Sequence, residues 1–288
     1  MLPETRTLVS GARTIAWCEL GDPAGEPVLA AHGSPGSRYQ LLALDAEARA
    51  AGIRIIAPDR PGFGGTDPAP DLRFASWDAD ALALLDHLGL GAVTVLGFSG
   101  GAGYALALAA AHPGRAARVV LVCGMIPGAP RVALRERMPL ISALYAASRW
   151  APWLAAAMLE GRGPFRTTRE ANVDAWPEAD RRVMTDPTLT QLTAPDGAEG
   201  MRQGARAAVA DLGRYHRGID LRAVRQPVAM LHGTADVNVP VAVARWAAAE
   251  LPNARLELVE AGGHYFAAED PGLVVRALVS RPSGGTSP

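Results

Sequence analysis

The sequence predicts an α/β fold class: a mostly parallel central sheet that is flanked by helices and carries an inserted helical cap. Two features of the 288-residue chain predict the sheet. Short β-rich runs alternate with alanine- and leucine-rich stretches, and most of the runs are continuously apolar, as expected for strands buried on both faces. A third feature predicts the insertion. From Cys123 to Pro227 about a hundred residues pass without a convincing strand, far more than one crossover connection requires.

The predicted strands and helices alternate on both sides of that interval. The chain starts with a predicted hairpin, and the strands are Thr7–Ser10, Arg13–Glu19, Pro27–Ala31, Ile53–Ala57, Ala92–Gly97, Arg118–Cys123, Pro227–Leu231 and Leu256–Glu260. The predicted helices are Arg38–Ala51, Ser76–Leu88, Gly100–Ala111, Val241–Leu251 and Pro271–Val279. This alternation favours parallel strands that are joined by helical crossovers.

The long interval divides the chain into predicted units. Residues 1–126 and 216–280 form the predicted α/β core, and residues 127–215 form the helical cap, which holds three of the six tryptophans. Residues 281–288 are rich in Ser, Gly and Pro, which predicts a disordered tail. No internal repeat is present, so the organisation is one core that is interrupted by one cap.

The charge composition excludes several classes of function. Basic and acidic residues number 28 and 29, which gives a formal net charge of −1 without a basic stripe, so we expect no nucleic-acid partner. Every basic residue in that count is an arginine, and lysine is absent. Because a Walker A loop, a pyridoxal phosphate Schiff base and a Ser–Lys dyad all need a lysine amine, those three chemistries are excluded.

Cysteine usage and hydropathy predict where the protein works. Cys18 and Cys123 are too far apart for a CxxC motif and too few for a disulfide framework, so we expect two buried thiols in a reducing compartment. Residues 1–17 lack the apolar run of a signal peptide, and nowhere do ~18 consecutive apolar residues predict a membrane helix. The expectation is a cytoplasmic protein without a membrane partner.

The strongest local motif is a G-x-S-x-G sequence centred on Ser99. It follows a predicted strand and opens a predicted helix, which is the context of a nucleophile elbow. Gly97 and Gly101 supply the small neighbours that such a sharp turn needs, and the helix N-terminus places N–H groups and positive dipole beside the serine. The alternative is a plain glycine-rich turn in a chain with 31 glycines; the flanking strand and helix favour the nucleophile.

A serine nucleophile needs a base and an orienting acid, and the chain offers both downstream. Asp236 follows one predicted strand and His264 follows the next, so nucleophile, acid and base occur in that order at carboxyl ends of strands. In isolation, the interpretation of Asp236 as the cap of a helix that starts near Val239 would be favoured, but its position between nucleophile and base decides against it. We expect structural hydrogen bonds for His32 and His232, each of which precedes a glycine at a strand end.

The loop from His32 to Gly36 is the candidate oxyanion loop, because it follows an early strand and is rich in Gly and Pro. Two backbone N–H donors are needed to bind an oxyanion. One follows the nucleophile, at Gly100, and Ser34 is the candidate for the other. On this hypothesis the Ser34 backbone matters more than its side chain.

Together these motifs identify the chain as resembling the α/β-hydrolase fold superfamily, over nearly all of its length outside the cap. The matching segments are His32–Gly36, Asp59–Asp67, Gly97–Gly101, Gly233–Asp236 and Gly262–His264. The resemblance implies Ser99 as nucleophile, Asp236 as acid and His264 as base, with oxyanion donors at Ser34 and Gly100. It also implies that the second segment is a structural loop without a catalytic role. Prolyl aminopeptidases of the family have glycine at the position of Ser34, a departure that argues against peptidase activity.

Serine at position 99 separates this chain from the family's epoxide hydrolases and haloalkane dehalogenases, which use aspartate as nucleophile. We therefore expect a serine hydrolase of small to medium apolar esters, lactones or thioesters, with a small-molecule substrate and no metal or cofactor. Candidate substrate-binding residues are Phe98, Tyr145, Trp150 and Trp153. Two alternatives stay open: non-ester chemistry such as C–C bond hydrolysis, lyase, cyclase or haloperoxidase reactions, and a non-catalytic binding protein. The sequence leaves the oligomeric state open.

Overall fold

The computed structural model describes residues 2–71, 73–166 and 173–280. Within these ranges one eight-stranded sheet is formed by β1 (Arg6–Ser10), β2 (Arg13–Gly21), β3 (Glu26–Ala31), β4 (Ile53–Pro58), β5 (Val93–Phe98), β6 (Ala116–Val122), β7 (Val228–Gly233) and β8 (Ala254–Val259). The strand order is β1-β2-β4-β3-β5-β6-β7-β8. β2 runs antiparallel to β1 and β4, and all other neighbours are parallel. The predicted fold class is thereby confirmed, whereas the predicted tail, 281–288, lies outside the described residues.

Helices connect the strands and cover both faces of the sheet. Their bounds are α1 (Asp45–Ala50), α2 (Asp78–His87), α3 (Gly101–Ala111), α4 (Pro139–Trp150), α5 (Pro152–Leu159), α6 (Glu178–Thr185), α7 (Pro187–Gly200), α8 (Arg206–Arg214), α9 (Val241–Glu250), α10 (Phe266–Glu269) and α11 (Pro271–Val279). One core packs α2, α3 and α9 on the sheet, and the other packs α1, α10 and α11 on the opposite face. None of the helices in the described ranges is both long enough and apolar enough to cross a bilayer.

Successive side chains of the central strands enter different cores, which explains why their sequences are continuously apolar. In β3, Leu29 belongs to one core and Val28 to the other. In β5, Val95 and Leu96 divide in the same way. Because side chains alternate between faces and helices cover both faces, most positions of such a strand are apolar. The edge strand β8 differs, since each of its residues is either exposed or only partly buried.

One predicted helix was too long. The interval Arg38–Ala51 contains a 3-10 turn, Leu42–Leu44, and then α1 from Asp45. The backbone amide of Arg38 donates to Asp59, and that of Ser37 donates to Asp196. Both carboxylates come from other parts of the chain, so this segment is tied to the loop after β4 and to α7.

The strand order places the candidate residues beyond the carboxyl ends of the strands. From β3 the chain moves outward to β4, and β5 then returns to the other side of β3. Ligands of open α/β sheets bind beyond the carboxyl ends of the strands at such a reversal.

In the described part of the chain the segment between β6 and β7 contributes α4 to α8 and no strand. The division at residues 126–127 and 215–216 into core and cap stays a prediction.

Candidate active site

Ser99 occupies a tight turn between β5 and α3. Its φ is 49°, a left-handed conformation that is uncommon for a residue with a side chain. A Cβ at Gly97 would lie 2.8 Å from the Cα of Ala102, and one at Gly101 would overlap the carbonyl oxygen of Ala31. The two glycines of the motif therefore have the steric role that the sequence predicted for them.

A hydrogen-bonded chain joins Ser99, His264 and Asp236. The Nε2 of His264 lies 3.0 Å from the Oγ of Ser99, and its Nδ1 lies 2.8 Å from the Oδ2 of Asp236. Because a carboxylate only accepts, Nδ1 carries the proton of the neutral ring and Nε2 is left to accept from the serine hydroxyl. The three dispersed residues are thus brought together in the arrangement that activates a serine.

Within these hydrogen-bonded side chains, the electrostatics favour an ion pair between Asp236 and His264. Burial opposes charge on both groups, but it is outweighed by their mutual attraction and hydrogen bond. The pKa of His264 is therefore raised and that of Asp236 is lowered. His232 lies 3.5 Å from the same carboxylate, yet burial lowers its pKa and it bonds the carbonyl oxygen of Val239, the structural role expected for it.

The Gly33 carbonyl group is held firmly at the base of the loop that follows β3. His32 Nδ1 lies 2.8 Å from this oxygen, and Arg60 Nη2 donates to it at 2.6 Å. His32 Nε2 accepts from the Arg60 amide at 2.9 Å, which fixes the ring tautomer. Since C=O and N–H of one trans peptide point in opposite directions, the N–H of Ser34 is directed away from both anchors.

The Ser34 and Gly100 backbones are neighbours. A Cβ at Gly100 would lie 3.2 Å from the Ser34 nitrogen. The hydroxyl of Tyr215 donates to the Gly100 carbonyl oxygen and so holds the turn from the side of α8. This geometry brings the two candidate oxyanion donors together beside Ser99. Neither Arg60 nor Tyr215 was identified as part of the site from the sequence, because their contacts link residues far apart in the chain.

A cavity of about 420 Å³ lies beside Ser99 and His264. Phe98 and Tyr145, two of the four predicted substrate-binding residues, line it, and its walls otherwise come largely from the segment between β6 and β7. Along α4, Ile141, Leu144 and Tyr145 share one helix face toward the cavity. The volume falls within the range of small-molecule sites.

The chain is similar in sequence to known hydrolases. The model of the alpha/beta hydrolase fold family matches residues 26–271. The chain belongs to that family. A pimeloyl-[acyl-carrier protein] methyl ester esterase of Aromatoleum aromaticum is 33% identical, over 74% of this chain and 81% of the relative. A 2-hydroxymuconate semialdehyde hydrolase of Pseudomonas putida is 30% identical over 84% and 81%, respectively.

Among solved structures, this α/β hydrolase is similar to the esterase RhEst1 from Rhodococcus sp. ECU1013. The TM-score is 0.72 at 25% identity, and the match covers 96% of this chain and 97% of the other. The relatives named by sequence and by structure are esterases and hydrolases. Membership of the family therefore supports a hydrolase.

Two of the four predicted substrate-binding residues do not line this cavity. Trp150 and Trp153 of this α/β hydrolase are 75% and 74% exposed, on the outside of α4 and α5. Trp150 is five residues beyond Tyr145, which turns it away from the face that lines the cavity, and Arg149 stacks on its ring. Trp176 lines the cavity instead. The sequence marked all three as cap aromatics, but only the packing of the helices decides which one faces inward.

One group of side chains in the α/β hydrolase resembles a ligand set for a metal ion. The ligand atoms of Cys123, Asp236 and His264 all lie within 4.8 Å of one another. Burial raises the pKa of the Cys123 thiol well above its ordinary value, so the thiolate that a metal needs is disfavoured. Asp236 and His264 also already bond each other. The donor set fits a proton relay better than a metal centre.

Proposed function

We propose that this α/β hydrolase is a serine hydrolase that cleaves a small to medium apolar ester, lactone or thioester. The observation that carries the proposal is the continuous chain from Ser99 Oγ through His264 to Asp236, with separations of 3.0 and 2.8 Å. The cavity beside it supplies room for a small substrate. Ser99, Asp236 and His264 are the proposed catalytic residues, with Ser34 and Gly100 as oxyanion donors.

The first half of the reaction forms an acyl-enzyme. His264 Nε2 takes the proton of Ser99 as Oγ attacks the carbonyl carbon, and Asp236 stabilises the imidazolium that results. The amides of Ser34 and Gly100 bind the oxyanion. Collapse of the tetrahedral intermediate breaks the bond to the alcohol or thiol, which leaves with the proton from His264.

The second half releases the acid. His264 takes a proton from water, the hydroxide attacks the acyl carbon, and Ser99 leaves with the returned proton. All protons in this cycle pass through Nε2, so no group beyond the proposed residues is required for balance.

The lining of the cavity supports an apolar substrate. Leu144, Tyr145, Leu159 and Val183 are among its walls, and Phe98 lies next to the histidine with a ring separation of 5.6 Å. Such side chains bind aliphatic or aromatic groups by excluding water. The esterase relatives agree with this substrate class.

A second candidate is hydrolysis of a carbon–carbon bond next to a carbonyl group. The relative from Pseudomonas putida supports it, because 2-hydroxymuconate semialdehyde contains no ester bond. The proposed nucleophile and oxyanion donors serve both reactions, so the choice depends on the substrate rather than on the triad.

Labelling with a fluorophosphonate, followed by intact-mass analysis, tests the proposed residues. We expect one adduct on the wild-type protein and none on Ser99→Ala or His264→Ala. Ester, lactone and thioester panels then test the substrate class. Absence of the adduct and of turnover on every panel would contradict a serine hydrolase; turnover that survives Ser99→Ala would indicate chemistry without a covalent intermediate.

A further inference from the structure

Helix α7 packs across the loop that follows β3, and three hydrogen bonds from that loop end on the carboxylate of Asp196. Its Oδ1 accepts from the amide and hydroxyl of Ser37 at 2.6 and 2.8 Å, and its Oδ2 accepts from Gln40 Nε2 at 3.0 Å. A Cβ at Gly200 would lie 2.8 Å from the carbonyl oxygen of Gly36, so helix and loop are also in backbone contact. Asp196 and Gln40 both line the cavity beside Ser99.

The side chain of Gln40 connects Asp196 to the amide of Gly33. Its Nε2 donates to Asp196, and its Oε1 accepts from the Gly33 N–H. The two neighbours impose the same orientation, because a carboxylate only accepts and a backbone N–H only donates. If the carboxamide were turned through 180°, its Nε2 would face the Gly33 N–H and its Oε1 would face the carboxylate, so donor would face donor and acceptor would face acceptor. Because Asp196 is an acceptor only, it determines that the oxygen of Gln40 faces Gly33 and can accept from its N–H.

Gly33 is thereby fixed on both sides, at its N–H by Gln40 and at its carbonyl oxygen by His32 and Arg60. The next amide in the chain is that of Ser34. A misplacement of about 1 Å in a catalytic group costs of order 100-fold in rate, so such fixation has a kinetic consequence.

We propose that Asp196 is a positioning residue for the oxyanion hole, which acts through Gln40 on the loop that carries the Ser34 amide. Helix α7 is then part of the active site and not only a cover over it. This inference rests on the proposed function, because an oxyanion hole has a role only if Ser99 attacks a carbonyl group.

The substitution Asp196→Asn tests the polarity with almost no change of shape. Its oxygen keeps the position that accepts from Ser37, so its amide nitrogen faces Gln40. Gln40 must then turn and present its own nitrogen to the Gly33 N–H. We expect kcat to fall about 10- to 100-fold, less than the full loss of an oxyanion donor, while KM changes less than threefold.

The substitution Gln40→Glu tests the same link from the other end. A carboxylate at this position still accepts from Gly33 but repels Asp196, so we expect kcat to fall here as well. The double variant Asp196→Asn/Gln40→Glu restores an alternating pattern, in which the new amide donates to the new carboxylate and the carboxylate accepts from Gly33. We expect it to recover at least half of the loss in kcat on a logarithmic scale.

Assays at pH 9 keep Asp196 ionised, since burial raises its pKa to about 7. Asp186→Asn is the matched control: this exposed carboxylate caps the start of the same helix, where it accepts from the amides of Thr188 and Leu189. We expect its kcat to stay within twofold of wild type. Thermal unfolding of each variant separates a folding defect from a kinetic one.

The outcomes separate the two proposals. Wild-type activity together with loss in both single variants and recovery in the double variant supports the relay. An unchanged kcat in Asp196→Asn, or a loss that the double variant does not recover, overturns it and leaves the serine hydrolase intact. Absence of labelling and turnover in the wild-type protein overturns the proposed function itself.

Discussion

Asp236 uses its two carboxylate oxygens for two different purposes. Oδ1 accepts from the amides of Asn238 and Val239 at 2.9 and 2.8 Å, and Oδ2 accepts from His264 at 2.8 Å. The turn that leads to α9 therefore fixes the orientation of the carboxylate independently of its bond to His264. The local capping interpretation and the catalytic one are both compatible with this geometry, since each uses a different oxygen.

Replacement of one oxygen therefore has a specific consequence at Asp236. In Asp236→Asn the side-chain oxygen stays with the two amides, and the nitrogen faces His264 Nδ1. Nδ1 must then accept, so Nε2 carries the ring proton and no longer accepts from Ser99. We expect kcat to fall about 10⁴-fold near pH 8, with a small change in stability. Steady-state kinetics and thermal unfolding measure this; activity within tenfold of wild type would show that the tautomer is not controlled here.

Ser34 separates the contribution of a backbone amide from that of its side chain. Its Oγ is buried and has no hydrogen-bond partner among the described residues, so Ser34→Ala is expected to keep most of the activity. Ser34→Pro removes the N–H and is expected to lower kcat about 10²- to 10³-fold. Initial rates with one ester, normalised to protein that takes up the fluorophosphonate, provide the comparison. Equal losses in both variants would refute the backbone assignment.

Helix α6 places a second carboxylate, that of Asp180, next to the loop that carries His264. Asp180 is fully buried, its Oδ1 accepts from the Tyr265 amide at 3.0 Å, and its Oδ2 has no partner among the described residues. Burial and then Asp236 have the largest effects on the pKa of His264, and the charge of Asp180 adds to the increase. The protonated imidazolium is therefore stabilised from two sides.

This arrangement predicts the acid limb of the pH profile. Only neutral His264 accepts a proton, so kcat/KM is expected to fall as pH decreases through a value above 6.5, the ordinary pKa of histidine. Asp180→Asn keeps an acceptor for Tyr265 and removes the charge, so the limb should move to lower pH. Glu178→Gln, an exposed change on the same helix, is the control. A limb that coincides with this control would show that Asp180 carries no charge at the site.

The elements that were predicted correctly have signals that are local in the sequence. The central strands are continuously apolar because both faces are covered, and the Ser99 turn has glycines at fixed positions for steric reasons. The relay from Asp196 to Gly33 has no such signal. Gln40 and Asp196 are 156 residues apart and are of ordinary types for a loop and a helix. The packing of the segment between β6 and β7, which places Trp176 inward and Trp150 outward, is likewise specified by no local pattern.

A buried ion pair between Arg60 and Asp211 joins the loop after β4 to α8. Arg60 and Asp211 are 0% and 1% exposed, and their charged atoms lie 2.9 Å apart. Asp211 also accepts from the hydroxyl of Tyr104 at 2.7 Å, and Arg60 donates to the Gly33 carbonyl. The same arginine, which lies just after the end of β4, therefore links α8 to the sheet and to the loop after β3, so α8 should unfold together with the sheet and not before it.

Loss of one partner leaves a buried charge without compensation, and this predicts a large effect on stability. We expect Asp211→Ala to reduce the free energy of unfolding by about 3–5 kcal/mol, measured by urea denaturation. Glu250→Ala is the matched control, since it breaks the exposed pair with Arg222, whose side chain is 76% accessible, and should cost about 0–1 kcal/mol. Unfolding is expected to remain a single transition that fluorescence and circular dichroism report together. An early, separate loss of helical signal in Asp211→Ala would show instead that α8 and its neighbours unfold independently of the sheet.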